Sequence, residues 1–489
     1  MNTHSSFITR SDRSSFFLGL AAALTAVTAG ALVGFAGPLL AVIALAALAA
    51  AVWALMDIEI GLWGVVAVIA LLPFGALPIK IVFKPTFLDL AMGAVLFVYA
   101  MQWMSGNRRR LTVTPAHAPI AAFILMAVFA FIAGLANGPL TSNLARHFAE
   151  FILSIAFAFV VVDIVQTKTQ LGRLVGVIVL CGAAAAAVGI ALYAVPESLA
   201  ERLLSALRVV GYPSGGVLQF VESNPELGQR AIGTSVNPNA FGGLLAIVGA
   251  LAAPQLAARH PVFGRRWVWW ASFILIVVCL ILTYSRMAMA GLVAAMAGLA
   301  LARYRKLLPV IAVGALIVIV LPVTQDYILR FVQGAQGADL ATQMRFGEYK
   351  DALILLSRYP LIGVGFAGAP DIDIYLGVSN AYLAIAQEMG FVGLAILLFA
   401  LAVVFGWAFD GRKQAARDPE LEPLFLGLHA AILAALVVGL GDHYFVNLDF
   451  QPAQTIFWMM IGLALSATRL SKDTNQVYNL AQHSLREAY

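Results

Sequence analysis

Long apolar runs, separated by short polar segments, make up most of the chain. The runs are continuous rather than alternating, which indicates helices, because a strand with one solvated face alternates apolar and polar residues. Within a bilayer, helices and closed barrels satisfy their own backbone hydrogen bonds. The pattern therefore predicts an all-α polytopic membrane protein with about 14 transmembrane helices (12–14). The predicted spans are residues 16–36, 38–56, 60–77, 87–104, 118–136, 147–165, 173–194, 240–257, 267–284, 287–302, 307–323, 380–408, 425–441 and 454–469.

Two long polar segments interrupt this pattern. Residues 196–239 follow the seventh predicted span, and residues 324–379 follow the eleventh. The other connections are short. Residues 1–470 are therefore predicted to form a single transmembrane helical domain, followed by a polar tail at residues 471–489.

The second long segment contains a predicted amphipathic helix from Arg345 to Ser357. Pro360 ends this helix, and Gly363-Val364-Gly365 predicts a tight turn. The alternative interpretation is a helix that lies flat at the membrane surface and has no chemical role. Its predicted apolar face consists of Phe346, Tyr349, Leu353 and Leu356, which recur at helical spacing.

Composition supports the prediction of a membrane protein, and the distribution of charge predicts which side of the membrane each loop faces. The chain of 489 residues is 62% hydrophobic and 11% charged, with a mean hydropathy of +0.91, whereas soluble domains are about 25% charged. With the N-terminus in the cytoplasm, most of the 30 Lys and Arg residues fall in cytoplasmic segments, as the positive-inside rule expects. Both termini are then cytoplasmic, and both long segments face the opposite side. The basic residues are spread over many short loops, so nucleic acid is not an expected partner.

Two arginines on the outer side, Arg230 and Arg286, accompany helix ends or loops. Arg230 lies upstream of Asn237-Pro238-Asn239. That tripeptide is typical of the first turn of a helix, and helix capping explains it without any functional role. The free N–H groups of that helix end and a nearby guanidinium together predict an anion site. Ser285-Arg286 forms a predicted hairpin, where an arginine also simply snorkels to the membrane surface.

Candidate acid–base groups are few. His443 beside Asp442 suggests a base with an orienting carboxylate, although adjacent side chains do not readily face each other. A charged carboxylate at Glu388, inside a predicted span, costs free energy, so we expect a hydrogen-bond or charge partner for it. Asp371 and Asp373 have the spacing of a metal-bound diphosphate site, which is weak evidence alone. The sequence lacks a Gly-rich phosphate loop, a metal-ligand cluster and a nucleophile elbow, so ATP hydrolysis is not expected.

These pieces, taken in order over roughly residues 220–460, resemble the O-antigen ligase and O-antigen polymerase family of bacterial integral membrane glycosyltransferases. The residues that carry the resemblance are Arg230, Gly233, Asn237 and Asn239; Ser285 and Arg286; Arg345, Tyr349, Ala352, Pro360, Gly363 and Gly365; Asn380, Tyr382, Leu383, Glu388 and Gly390; and Asp442, His443 and Tyr444. The N-terminal half of the chain agrees with the family in hydropathy alone.

The resemblance implies transfer of a glycan from undecaprenyl diphosphate to an acceptor hydroxyl on the periplasmic face of the inner membrane, without metal, nucleotide or other cofactor. The acceptor is another glycan in a polymerase, as for O-antigen or exopolysaccharide, and lipid A-core in a ligase. Membrane lipid and polysaccharide export or chain-length proteins are the further partners expected.

The resemblance also implies roles for individual residues. Arg230, Arg286 and Arg345 would form a cationic clamp on the diphosphate, and His443 would act with them in catalysis. The residues expected to bind substrate are Asn237, Asn239, Ser285, Tyr349, Gly363, Gly365, Ser379, Asn380 and Asp442. The family commonly has a histidine at the position of Ser379, so the base here is open between His443, Glu348, Asp371 or Asp373, and the diphosphate itself.

Two other classes of function are compatible with parts of the pattern. A transporter or flippase would use the outward arginines as an anion vestibule, but transporters usually have polar groups near the bilayer midplane and two related halves. No internal repeat is visible in this sequence. A structural scaffold in a polysaccharide export complex is the third hypothesis.

Overall fold

The computed structural model describes residues 57–77, 84–262, 264–320, 340–370 and 377–487. The first two predicted spans, most of the first half of the second long segment, and Asp371 with Asp373 lie outside these residues. The described residues form fourteen α-helices, which are α1 (Ile58–Leu71), α2 (Phe87–Met104), α3 (His117–Gly134), α4 (Ser142–Ile164), α5 (Lys168–Ala194), α6 (Glu197–Ala206), α7 (Pro238–Ala257), α8 (Arg266–Leu282), α9 (Arg286–Ala302), α10 (Leu307–Val320), α11 (Leu340–Arg358), α12 (Ala381–Ala415), α13 (Leu421–Val438) and α14 (Gln451–Glu487).

The all-helical membrane architecture is confirmed for these residues. Seven helices, α2 to α5, α7, α12 and α13, are long and apolar enough to cross a membrane, and α1, α8 and α9 are shorter apolar helices. Each predicted span from residue 60 onward coincides with a helix. The count of 14 spans and the single-domain organisation stay predictions.

Helix α7 is the centre of the bundle. It is buried along nearly its whole length, as expected for a helix that is apolar all round. Helices α8, α9 and α13 pack around it. Close approach depends on small residues: a Cβ built on Gly427 of α13 would lie 2.9 Å from the backbone oxygen of Leu251 in α7.

Side-chain caps set the helix ends that matter for the site. The Asn237 side chain accepts hydrogen bonds from the first backbone N–H groups of α7, and Asn380 does the same for α12. Asparagine at this position satisfies donors that have no partner within the helix. Of the two asparagines in the predicted Asn237-Pro238-Asn239 turn, Asn237 is therefore the cap.

Helix α12 is broken at Gly390, which has φ +67. The Pro360–Gly365 segment fills the break: Val364 N–H donates to the Gln387 carbonyl at 2.8 Å, and Phe391 N–H donates to the Pro360 carbonyl at 2.8 Å. The inserted segment therefore satisfies backbone groups that the break would otherwise leave unpaired.

Helix α11 packs on α12 with only part of the predicted apolar face. Leu356 is buried and Tyr349 packs against the core, together with Ala352 and Leu355, whereas Phe346 and Leu353 are exposed, at 57% and 54%. The prediction is therefore half right, because apolar side chains in a membrane protein also suit a lipid-facing surface. An apolar stripe does not by itself identify the packing face.

Candidate functional site

Arg230 lies at the N-terminus of α7. Its Nε donates to the Thr283 carbonyl at 2.8 Å, and a terminal nitrogen donates to the Asn239 side-chain oxygen at 2.5 Å. Asn237 caps the same helix through the N–H groups of Asn239 and Ala240. The guanidinium is thus held beside a helix N-terminus, where the helix dipole favours an anion.

The N-terminus of α9 lies next to that of α7. A Cβ built on Gly242, in the first turns of α7, would lie 3.0 Å from the Cβ of Ser285. Ser285 is 2% exposed, and among the described residues its hydroxyl has no hydrogen-bond partner. Arg286 is the first residue of α9. Two helix N-termini and two arginines therefore occupy one end of the bundle.

Helix α11 brings the third arginine to the same place. A terminal nitrogen of Arg345 lies 3.4 Å from Oδ1 of Asp442. A Cβ built on Gly441 would lie 3.4 Å from Arg345 and 2.5 Å from the Met287 side chain, one residue beyond Arg286. Arg345 therefore contacts the loop that follows α13 and lies at the same end of the bundle.

Asp442 is the buried carboxyl at which the three arginines converge. It is 3% exposed. Burial raises its pKa to about 7, and Arg345, Arg230 and Arg286 act in the opposite direction by favouring the carboxylate. The convergence of three cations on one buried carboxyl makes this end of the bundle a strongly cationic site.

His443 and Asp442 do not form a dyad. Among the described residues, no hydrogen bond joins their side chains, and the His443 ring stacks on Tyr444 with centroids 5.0 Å apart. Burial lowers the pKa of His443, and its Nδ1 is buried without a hydrogen-bond partner. His443 is therefore a neutral imidazole near pH 7.

The Ser379 peptide is held by α11. Glu348 accepts a hydrogen bond from Ser379 N–H at 2.8 Å, and the Tyr349 hydroxyl donates to the Ser379 carbonyl at 3.1 Å. The Asn380 side chain caps α12 and donates to the Leu440 carbonyl at 2.8 Å. These bonds fix the start of α12 against the Asp442 loop.

Gly363 and Gly365 have packing contacts. Both have positive φ, at +69 and +75, and a Cβ on either would meet helix backbone, that of α12 for Gly363 and that of α3 for Gly365. The predicted turn is confirmed. A direct contact of these glycines with substrate stays a prediction.

The structure thus brings together Arg230, Arg286, Arg345, Ser285, Asn237, Asn239 and Asp442, with Tyr349, Ser379, Asn380 and His443 in adjoining segments. Sequence reasoning missed Thr283 as a holder of Arg230, because the contact uses its backbone carbonyl. Among the described residues, no group of three or more His, Cys, Asp or Glu side chains converges.

A second polar network lies between α2, α4 and α14. Arg146 pairs with Glu150 at 2.7 Å and with Asp89 at 3.3 Å, and Gln451 donates to Asp89 at 2.9 Å. Glu150 is 5% exposed. The sequence did not predict these acidic partners of Arg146, because Asp89 lies on another helix and Glu150 lies one turn away.

Comparison with models of known protein families gives a match. A family model described as O-antigen ligase matches residues 271–398, and this match supports the family that the motifs resemble. The matched part contains Ser285, Arg286, Arg345 and Ser379, whereas Arg230 and Asp442 lie outside it. No curated protein matches the chain.

Proposed function

We propose that the chain transfers a glycan from undecaprenyl diphosphate to an acceptor hydroxyl on the periplasmic face of the bacterial inner membrane, because the O-antigen ligase model matches residues 271–398. The reaction uses no metal and no nucleotide. The product is a longer lipid-linked glycan in a polymerase, or a glycan on lipid A-core in a ligase. Ser379, in place of the family's usual histidine, favours a polymerase.

The observation that carries this proposal is the convergence of Arg230, Arg286 and Arg345 on Asp442. The leaving group of the reaction is a lipid diphosphate, and negative charge grows on its bridging oxygen as the bond to the sugar breaks. Fixed guanidinium groups in a poorly hydrated site stabilise that charge. A planar guanidinium also matches two phosphate oxygens at once.

The helix ends add neutral donors to the three cations. The N-termini of α7 and α9 meet beside Arg230 and Arg286, and the Ser285 hydroxyl has a free hydrogen bond to offer there. Arg230 is held rigidly by the Thr283 carbonyl and by Asn239. A clamp that is organised before substrate arrives loses little free energy in reorganisation.

The second candidate function, transport or flipping of an anionic or lipid-linked solute, draws on the break in α12. Transporters often bind their cargo at broken helices. Here the Pro360–Gly365 segment fills the break, and its hydrogen bonds to the Gln387 and Glu388 carbonyls close the backbone gap. Transfer is therefore the better supported function.

Release of undecaprenyl diphosphate tests the proposal. The purified protein in lipid nanodiscs is given a glycan linked to undecaprenyl diphosphate, with a chelator and without ATP. A transferase releases the lipid diphosphate and lengthens or transfers the glycan. A transporter moves the intact donor across the membrane without release, and this result would overturn the proposal.

Glycan chain length in a deletion strain separates polymerase from ligase. Loss of a polymerase leaves single repeat units on the acceptor. Loss of a ligase leaves long chains on the carrier lipid. The first result is expected here, and the second would assign the chain to the ligases.

A further inference from the structure

We infer that the N-terminus of α9 binds one phosphate group of the lipid diphosphate, and that this phosphate takes the place of a helix cap which the protein itself does not supply. The site rests on the proposed function and deepens it. Its donors are the Ser285 hydroxyl, the Arg286 guanidinium and the backbone N–H groups of Met287 and Ala288.

Ser285 occupies the N-cap position of α9 without capping the helix. Among the described α-helices, six others begin after an Asp, Thr or Asn whose side chain accepts a hydrogen bond from a backbone N–H of the first turn. These cap residues are Asp57, Thr86, Thr141, Thr167, Asn237 and Asn380. Serine is as good a capping residue as these. The hydroxyl of Ser285 is therefore available to another partner.

The first N–H groups of α9 are also unpaired. The Ser285 carbonyl accepts from Met289 N–H at 3.2 Å, which is the ordinary first hydrogen bond of a helix, but no group in the described residues accepts from Met287 or Ala288 N–H. Ala288 is completely buried, and the buried Ser285 hydroxyl has no partner among the same residues. Unpaired polar groups in such a place cost free energy. An anion that accepts from all of them removes this cost.

The neighbouring helix end, that of α7, is already capped. Asn237 accepts from the N–H groups of Asn239 and Ala240, at 2.9 and 3.1 Å. Fewer backbone donors are left there than at the start of α9. The two helix ends are thus not equivalent, and the phosphate belongs to α9.

Thr283 ties the start of α9 to the first arginine of the clamp. Its hydroxyl donates to the Leu280 carbonyl at 2.6 Å and accepts from Ser285 N–H at 3.2 Å. Its carbonyl accepts from Arg230 Nε at 2.8 Å. Thr283 is completely buried. The helix end and Arg230 therefore share one rigid support before the ligand arrives.

An anion has access to this helix end. Tyr284, Arg286 and Met287 are partly exposed, and the Ser285 hydroxyl can turn about its Cα–Cβ bond without breaking a hydrogen bond. The positive end of the helix dipole attracts an anion. A guanidinium and several N–H and O–H donors, with no acceptor among them, match the oxygens of a phosphate group.

A phosphate that acts as the cap predicts an unusual pair of effects on stability. Ser285→Ala removes no hydrogen bond from the ligand-free protein, so its unfolding midpoint should equal that of the wild type while its affinity for diphosphate falls. Ser285→Asp supplies a carboxylate that caps α9 beside Arg286. It should raise the midpoint without ligand and exclude the ligand. An ordinary structural cap behaves differently, because its loss lowers stability.

The test combines calorimetric titration with thermal unfolding of the purified protein in phosphatidylcholine nanodiscs. The probes are undecaprenyl diphosphate and inorganic diphosphate, and the wild type should bind both. Ser285→Ala should raise both Kd values about tenfold, as expected for one hydrogen bond to a charged group. Ser285→Asp should have a raised midpoint and no measurable binding. Thr141→Asp is the matched control, because it places the same carboxylate at a helix end that is already capped, and it should bind like the wild type.

The outcomes separate this site from the proposed function. Equal binding of undecaprenyl diphosphate by the wild type and Ser285→Ala would overturn the site and leave the proposed function standing. A Ser285-dependent rise of the midpoint in phosphatidylglycerol nanodiscs, without diphosphate, would assign the helix end to a lipid headgroup and overturn its link to the donor. No binding of undecaprenyl diphosphate by the wild type would overturn the proposed function as well. If Ser285→Asp does not fold, the affinity and midpoint of Ser285→Ala decide.

Discussion

Arg345 and Asp442 lie 97 positions apart in the sequence, and a guanidinium nitrogen of one is 3.4 Å from a carboxylate oxygen of the other. The contact joins a helix of the second long polar segment to the loop between the last two described helices. Arg230 and Arg286 complete the charge around the same carboxyl. The predicted clamp is therefore one site built from four segments of the chain.

The first prediction concerns pH. Burial raises the pKa of Asp442 to about 7, and if this carboxyl is the base for the acceptor hydroxyl, it must be ionised to accept the proton. Transfer should therefore fall as the pH drops below about 7, by up to tenfold per pH unit. Burial lowers the pKa of His443, so any titration of this ring should fall on the acid side of its ordinary range.

The measurement is the rate of transfer between pH 5.5 and 8.5 with donor well below its KM, because this rate reports the pKa values of the free enzyme. Asp442→Asn should leave a low rate that is independent of pH. An unchanged inflection in Asp442→Asn would assign the titration to another group.

The second prediction concerns Ser379, which contacts α11 through its backbone. Ser379→Ala keeps both backbone hydrogen bonds and should leave the transfer rate within about twofold of the wild type. Glu348→Ala removes the acceptor for Ser379 N–H and should lower the rate by a larger factor. The assay is donor consumption at equal amounts of folded protein. A loss of activity in Ser379→Ala would mean that its hydroxyl takes part in the reaction.

The third prediction concerns Gly365, whose φ is +75 and whose missing side chain faces the backbone of α3. Gly365→Ala should destabilise the protein by roughly 2 kcal/mol or more, since it adds backbone strain to a steric clash. Gly347 is the matched control, because nothing lies within 4 Å of a Cβ built there. Gly347→Ala lies within a helix and should be neutral or stabilising by up to about 1 kcal/mol. Thermal unfolding in detergent measures both, and equal midpoints would contradict the packing role of the turn.

The fourth prediction separates the second polar network from the site. Arg146→Ala leaves Glu150 buried without its main partner and should cost about 3–5 kcal/mol of stability. Arg173→Ala removes a pair whose arginine is 57% exposed and should cost about 0–1 kcal/mol. Unfolding midpoints test the difference. Activity per folded molecule should be retained in both variants, and its selective loss in Arg146→Ala would give the network a direct role.

Much of the helical architecture follows from the sequence. Long apolar runs fix the helices because the bilayer requires internal hydrogen bonding, and Asn237 is predictable as a cap because its side chain reaches the next N–H groups. The motif order also identified the arginines. These features depend on residues that are close in the sequence or on the solvent that surrounds the chain.

Contacts between distant segments were not predictable in the same way. The break at Gly390 depends on the Pro360–Gly365 segment, which supplies hydrogen bonds from another part of the chain. The packing face of α11 depends on the shape of α12 rather than on hydrophobicity. Asp442 has no local feature that distinguishes it from an ordinary loop aspartate. Its chemistry arises from three arginines that the fold brings to it.

The most direct test of the account compares two variants of one helix in the release assay. Lys350 is an exposed residue of α11, and Arg345 lies beside Asp442 on the same helix. With a chelator present and ATP absent, the wild type and Lys350→Ala should release undecaprenyl diphosphate at equal rates. Arg345→Ala should release it about 10²–10³ times more slowly while folding normally. Equal release by Arg345→Ala, or no release by the wild type, would contradict the account.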